Sequence, residues 1–270
     1  LTWGKVYNNE KFSRRGKNIL KRLDKIERIE KPVLERKRMG LELNGWRGSN
    51  KVLEITNLDK VFPPSSAGED ETTILAGLNL LVWRGERVGL VGPNGAGKSL
   101  LYRLILGQEA PSGGEIRVGP SVEIGYYAQE HDILDYERTL LDTVRLAAKL
   151  SENGAVSFLG RFLFSYEQAR NTVATLSGGE RSRLQMALLT LSEANFLMLD
   201  EPTNNLDIPS AEVLEAALEE FEGTLLVISH DRYFLDRVVD RIVELEEGTL
   251  TEYLGGYSDY QAARAAQGLD

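Results

Sequence analysis

The 270-residue chain contains no cysteine, only two histidines, and no apolar run approaching the roughly 18 residues that a membrane helix needs. Lack of cysteine excludes disulfides and thiolate metal sites, and two histidines are too few for a histidine-rich zinc centre. The opening Leu1-Thr2-Trp3-Gly4-Lys5 has no secretory pattern. A soluble, cytoplasmic protein without direct membrane insertion is therefore expected. A hydrophobic content of 42% is enough for a proper core, and the length suits either one large α/β domain with an appendage or two small domains.

The net charge of −9 conceals a division. Residues 1–50 carry 14 Lys+Arg against 6 Asp+Glu, and residues 51–270 carry 18 against 35. A basic arm thus precedes an acidic body, and contact with a phosphate backbone, if made, belongs in the arm. The other reading of the arm is a solvated helix with incidental charge. Within 17–34, Ile19, Leu23, Ile26, Ile29 and Val33 recur at helical spacing, with Pro32 near the end as a kink. Such an apolar stripe needs another helix, or the body, to cover it.

What is present is chemically specific. Gly92-Pro93-Asn94-Gly95-Ala96-Gly97-Lys98-Ser99 fills the pattern G-x-x-x-x-G-K-[ST] between an apolar strand at 87–91 and a helical pattern at 98–106. That order is required of a phosphate-binding loop. Glycines 92, 95 and 97 let the backbone approach phosphates closely, and the helix start adds partial positive charge. Lys98 can reach the β and γ phosphates, and the Ser99 hydroxyl can coordinate Mg2+. A nucleoside triphosphate with magnesium is the predicted ligand.

Further strands are expected at 52–56, 78–83, 122–127, 196–199, 225–229 and 242–245, and further helices at 139–150, 178–191, 210–221 and 231–238. An exposed, mobile loop is expected from Pro63 to about residue 70. The alternation predicts an α/β fold with a partly parallel sheet. The stretch of about 130–192, without a convincing strand, suggests an inserted helical subdomain. Asn195-Phe196-Leu197-Met198-Leu199-Asp200-Glu201 has the form of a Walker B strand: Asp200 can hold the Mg2+ shell while Glu201 addresses the attacking water. Leu176-Ser177-Gly178-Gly179-Glu180 opens a helix with Ser177 as its N-cap, and by itself reads as an ordinary capped helix or as an anion site.

In this order the motifs resemble those of an ATP-binding cassette (ABC) ATPase domain, over roughly residues 52–250, with 176–180 as the family's signature motif. The resemblance implies a P-loop NTPase fold of ABC type with an inserted helical subdomain. It also implies nucleotide contacts from Gly92, Asn94, Gly95, Ala96, Gly97, Lys98, Ser99 and Leu100. Mg2+ contacts would come from Ser99, Gln129 and Asp200, and catalytic roles would fall to Glu201 and His230, the latter at the γ phosphate. Asp207, in Asn204-Asn205-Leu206-Asp207, would communicate across a dimer. Phe62 is the candidate for stacking on adenine, with a core position as its other reading. The family usually has threonine where Leu100 stands, which implies somewhat weaker nucleotide affinity. In such proteins each ATP lies between the phosphate loop of one cassette and the signature motif of another, so a second cassette is the implied partner, either a copy of this one or a missing N-terminal half.

Ser229-His230-Asp231-Arg232-Tyr233-Phe234-Leu235-Asp236, the ending Tyr253-Leu254-Gly255-Gly256-Tyr257-Ser258-Asp259-Tyr260 and the basic helix resemble the soluble ABC-F class, whose members act on the ribosome. On this resemblance residues 51–270 are the second cassette and residues 1–50 a basic helical linker arm that touches ribosomal RNA. The ATP-binding subunit of a membrane transporter is the alternative, and a scaffold cassette with little turnover is a third reading.

Overall fold

The computed structural model describes residues 50–64, 71–128, 134–204 and 206–268. The expectations for the arm at 1–49 and for Gln129 lie outside the described residues.

Two sheets carry the fold. A small antiparallel sheet has the order β2–β1–β4, from β1 (Lys51–Phe62), β2 (Thr72–Trp83) and β4 (Gly113–Val118). The larger sheet has the order β5–β6–β7–β3–β8–β9, where β3 is Arg87–Val91, β5 Ile124–Tyr127, β6 Phe196–Asp200, β7 Thr224–Ile228, β8 Arg241–Glu246 and β9 Thr249–Leu254. All neighbours in it are parallel except β9, which closes the edge antiparallel to β8.

Among the described residues the helices are α1 (Lys98–Ile105), α2 (Leu140–Ala148), α3 (Glu152–Arg161), α4 (Tyr166–Ala169), α5 (Gly178–Leu191), α6 (Ile208–Glu220), α7 (Arg232–Val238) and α8 (Tyr257–Ala266). Between Tyr127 and Phe196 the elements among the described residues are helical, apart from an isolated bridge between Thr139 and Thr172.

Continuous apolar runs in β6 and β7 make sense because both faces of these strands are covered. Side chains alternate across a strand. Accordingly Leu197, Leu199, Leu225 and Val227 join the cluster on the side of α2, α3, α5 and α6, while Phe196, Met198, Leu226 and Ile228 join the cluster under α1 and the antiparallel sheet. Each such side chain contributes about 1.5–3 kcal/mol on burial. Polar ties fix the layers against one another. The Arg87 guanidinium donates to the carbonyls of Leu218 and Phe221, both at 2.7 Å, where the end of α6 concentrates partial negative charge. Arg241 joins Glu86, Glu252 and the Leu81 carbonyl, each at 2.9 Å, and so links the two sheets.

The structure departs from the sequence expectations in several elements: β1 runs on to Phe62, and α4 and α8 form where no helix was expected. β2 starts at Thr72 rather than at residue 78, because Thr72 and Thr73 pair with Phe62 and Val61. β4 and β9 were not expected: neither has a fully alternating burial pattern, and β9 buries only Tyr253. Helix α3 contains Gly154 and Gly160, which lower helix propensity. It is held by the Ser151 cap and by burial of Ala155, Phe158 and Leu159. Among the described residues no helix is long and apolar enough to cross a membrane.

Candidate functional site

Because β6, β7 and β3 are adjacent and parallel, their carboxyl ends deliver three loops to one edge of the sheet, the place where open α/β sheets hold ligands. The first loop is 92–99. Its glycines take φ values of 144°, 81° and 101° at positions 92, 95 and 97. A Cβ on Gly92 would sit 2.1 Å from the Leu245 carbonyl oxygen, so any other residue there would push the loop off β8. Gly97, the N-cap of α1, offers no side chain to the helix start. The first N–H groups of α1 are therefore open to an external anion.

Lys98 is buried, and its ammonium donates to the loop's own carbonyls, Gly92 at 2.8 Å and Pro93 at 2.9 Å. Burial lowers its pKa, while the carboxylates of Glu201 and Asp200 act to raise it. Neither carbonyl is a full counter-charge, so among the described residues the cation is held at the cavity without an ion pair of its own.

The second loop follows β6. Asp200 is almost fully buried; burial pushes its carboxyl above the usual range, opposed by a hydrogen bond from the Ser99 hydroxyl and by the charges of Lys98 and Arg103. Its Oδ1 is buried without a hydrogen-bond partner. A hydroxyl and an under-coordinated carboxylate together are the hard oxygen donors that Mg2+ takes, with its other positions filled by phosphates and water. The donor set thus fits the metal. Glu201 has φ of 50°, in the left-handed region that side chains other than glycine seldom adopt. Such strain costs on the order of 1–3 kcal/mol and concentrates at functional sites.

The Glu201 carboxyl is pushed up to about 7, by burial first and by Asp200 and Asp231 after it, against the His230 backbone N–H and Lys98. That N–H donates to Glu201 Oε2 at 3.3 Å, while Oε1 is buried without a hydrogen-bond partner. The third loop, after β7, supplies His230. Its Nε2 lies 3.6 Å from Glu201 Oε1, and burial and Lys98 lower its pKa, so the imidazole is neutral at pH 7. The two side chains are therefore neighbours and not an ion pair. Oε1 is left as an acceptor without a donor on a residue that lines the cavity.

That cavity has a volume of about 560 Å3 and is lined by Phe62, Asn94, Gly95, Gly97, Lys98, Ser99, Leu100, Asp200, Glu201 and His230 among others. Phe62 is 37% exposed, with the Lys60 ammonium 4.9 Å from the ring centroid. Its core reading is thereby corrected: the ring has one face against a cation and is open to the cavity. Leu100 sends its side chain into the core.

Two residues of the expected nucleotide set do not line the cavity. Ala96 packs against the core under α1, and Gly92 faces a second cavity described below. The segment 176–180 and Asp207 do not line it either. Ser177 caps α5 reciprocally with Glu180: the Ser177 N–H and hydroxyl each donate to Glu180 Oε2 at 2.8 Å, and Gln168 donates to Oε1 at 2.7 Å. Those hydrogen bonds hold the Glu180 carboxyl below its ordinary range. Asp207 caps α6 through Ser210. Ile74, Arg103 and Asn204 also line the cavity and were not expected there. Arg103 was accessible to sequence reasoning, since it follows Ser99 by one helical turn and shares its face.

The chain has clear relatives. The family model described as ABC transporter matches residues 75–204. ABC transporter F family member 5 of Arabidopsis thaliana is 39% identical over 246 residues, which are 89% of this chain and 34% of that protein. The energy-dependent translational throttle protein EttA of Haemophilus influenzae is 38% identical over 223 residues, 80% of this chain and 39% of that protein. This chain therefore spans well under half the length of these relatives. Among solved structures, the ATP-binding cassette MJ0796, in a dimeric post-hydrolysis state bound to ADP and phosphate, superposes with a TM-score of 0.63 at 23% identity. The match covers 75% of this chain and 98% of that one, and it supports the shared fold.

Proposed function

The chain belongs to the ABC ATPases and has relatives in the ABC-F family, and from that premise we propose that it binds Mg2+–ATP between two cassettes, hydrolyses it, and acts in a protein that works on the ribosome. The observation that carries the reading is the division of the motifs. One cavity gathers Lys98, Ser99, Asp200, Glu201 and His230, while the signature segment 176–180 of the same chain does not line it. A complete site on this reading takes its signature motif from another cassette, either the N-terminal half of a longer protein or a second copy. Asp207, at the start of α6, would report from one cassette to the other.

In the cavity Lys98 exchanges the carbonyls of Gly92 and Pro93 for the β and γ phosphates, which replaces two neutral acceptors with anions. The exposed N–H groups at the start of α1 bind the same phosphates. Phe62 stacks on adenine. Asp200 and Ser99, with Gln129, would hold Mg2+, which when bound supplies charge compensation on the phosphates. Glu201 Oε1 accepts the proton of a water as its oxygen bonds to the γ phosphorus and the bond to the β–γ bridging oxygen breaks. His230, neutral, holds the γ phosphate by hydrogen bonding.

A general base works only when deprotonated. With Glu201 at about 7, kcat/KM is expected to rise between pH 6 and 8 and to level off above, with one proton lost. A profile flat over that range would remove Glu201 from the base role.

The ribosomal part of the proposal rests on the basic arm at 1–50 and on the EttA relative. Neutralising Arg14, Arg15, Lys21, Arg22 and Lys25 together is expected to weaken co-sedimentation with ribosomes at least tenfold near physiological salt, since each phosphate contact adds to the counterion term. Nucleotide affinity should not change. Equal ribosome binding by the neutralised protein would leave the charge of the arm incidental, and ATP-dependent association with membrane proteins instead would favour the transporter reading.

A further inference from the structure

The C-terminal tyrosines of the 253–260 segment converge on a buried charge directly behind the phosphate loop. Glu244 is 4% exposed and lies on β8 beside Val91, the last residue of β3 before the loop. The Tyr260 hydroxyl donates to its Oε1 at 2.6 Å, the Tyr253 hydroxyl donates to Oε2 at 3.3 Å, and the Arg264 guanidinium pairs with Oε1. Arg264 reaches Glu246 as well, at 3.5 Å. Two of these three partners come from α8. The Tyr260 ring packs edge-on against Tyr253 at 5.1 Å and tilted against Tyr257 at 5.4 Å. The start of α8 is anchored separately, because Asp236 of α7 accepts from the Ser258 N–H at 2.7 Å and from its hydroxyl.

This arrangement bears on the loop in two ways. The residue after Glu244 presents the carbonyl against which Gly92 closes without room for a Cβ. Where the end of β8 sits therefore decides where the loop begins. A second cavity of about 410 Å3 also separates α8 from the loop, with Tyr257 and Arg264 on one wall and Asn94 and His230 on the other. Asn94 and His230 face the first cavity too, so they form a partition between the two spaces. A buried carboxylate satisfied by three donors holds one arrangement against alternatives more than it adds net stability. The Tyr260 hydroxyl, pushed up to about 12 mainly by burial and by its bond to Glu244, remains a donor at any physiological pH.

We infer that Tyr260 and Arg264, acting through Glu244, are positioning residues for the phosphate loop: α8 holds the end of β8 against Gly92 and so sets how well the loop and His230 accept a third phosphate. The inference rests on the reading of the first cavity as the nucleotide site. Residues of α8 touch no nucleotide on this account. Their effect travels through Glu244 and the partition.

The test is titration of the full chain with methylanthraniloyl-labelled ATP and ADP in the presence of Mg2+. Arg264→Met keeps the aliphatic length and removes the cation. It is expected to weaken ATP binding about three- to tenfold, the usual size of coupling through a packed network, and to affect ADP much less, so the ATP-to-ADP affinity ratio falls. Tyr260→Phe, which loses one hydroxyl and keeps the ring contacts, should lower the ratio in the same direction by less, and Arg264→Lys should recover part of it. A purely structural role reduces the folded fraction for both nucleotides alike. An unchanged ratio in Arg264→Met and Tyr260→Phe, whatever their melting temperatures, overturns the inference; if Arg264→Met does not fold, Tyr260→Phe decides alone. Failure of the unmodified chain to bind either nucleotide would overturn the nucleotide reading itself.

Discussion

Glu201→Gln is expected to lower ATP hydrolysis about a thousandfold, within the range that loss of a general base produces, while Mg2+–ATP affinity should stay within a few fold. Glutamine keeps the shape of the side chain, and its amide oxygen can take the place of Glu201 Oε2 in accepting the His230 N–H, so the loop after β6 retains its form. What it loses is a group able to take a proton from water. The ATP-bound, associated state should then accumulate, because the step that separates the cassettes has been removed. Stability moves the opposite way from activity. The Glu201 carboxyl is raised above its ordinary value of 4.5 to about 7, so the folded chain binds that proton more tightly than the unfolded chain does. The resulting stabilisation is complete below the ordinary value and is lost as pH rises through 7. At pH 8 the ionised carboxylate therefore burdens the fold, and Gln relieves a cost on the order of 3 kcal/mol. Calorimetry at pH 8 should give a higher melting temperature for Glu201→Gln than for the unmodified chain. Turnover at the unmodified rate would show that another group is the base.

Replacing Lys98 by Ala is expected to weaken triphosphate binding about a hundredfold. Its ammonium is the buried cation of the cavity, and a charge-assisted hydrogen bond to phosphate contributes about 1.5–3 kcal/mol, with two phosphates in reach. In the absence of nucleotide the ammonium is held only by the carbonyls of Gly92 and Pro93, so the fold loses little when it is removed. The substitution also takes away the charge that opposes the upward shifts of Asp200 and Glu201. Isothermal titration with Mg2+ and a non-hydrolysable ATP analogue measures the effect. Unchanged affinity would contradict the phosphate-loop reading.

How much of this could be read from the residues depended on how far each signal was local. The phosphate loop, the acidic end of β6 and the Ser177 cap are each contained in a few consecutive residues, and the backbone forms the corresponding turn, strand end and helix start. The strands β6 and β7 were equally legible, since continuous burial leaves a continuous apolar run. Elements whose order comes from distant partners were not. β4 is defined by pairing with β1 across more than fifty residues, and β9 exists as an edge on β8. The left-handed backbone of Glu201 has no signature in composition; it occurs where the chain leaves β6, with the Glu201 N–H still bonded to the Ile228 carbonyl of β7 at 2.9 Å. The network around Glu244 was half visible. Its tyrosines stood out as a motif, but the buried acid they serve lies on another strand.

On the proposed function the cavity around Lys98 is half a site, completed by the signature motif of a second cassette. Mixing two inactive variants tests it most directly. Lys98→Ala removes the phosphate-loop half and leaves the signature intact; Ser177→Arg fills the exposed start of α5 and leaves the phosphate loop intact. Each alone should hydrolyse ATP at background. In a head-to-tail pair of the two, one site combines the intact loop of the second with the intact signature of the first. The equimolar mixture, at concentrations where turnover of the unmodified chain has saturated, should recover a substantial fraction of the unmodified rate. A mixture no more active than the sum of its parts would contradict the composite site.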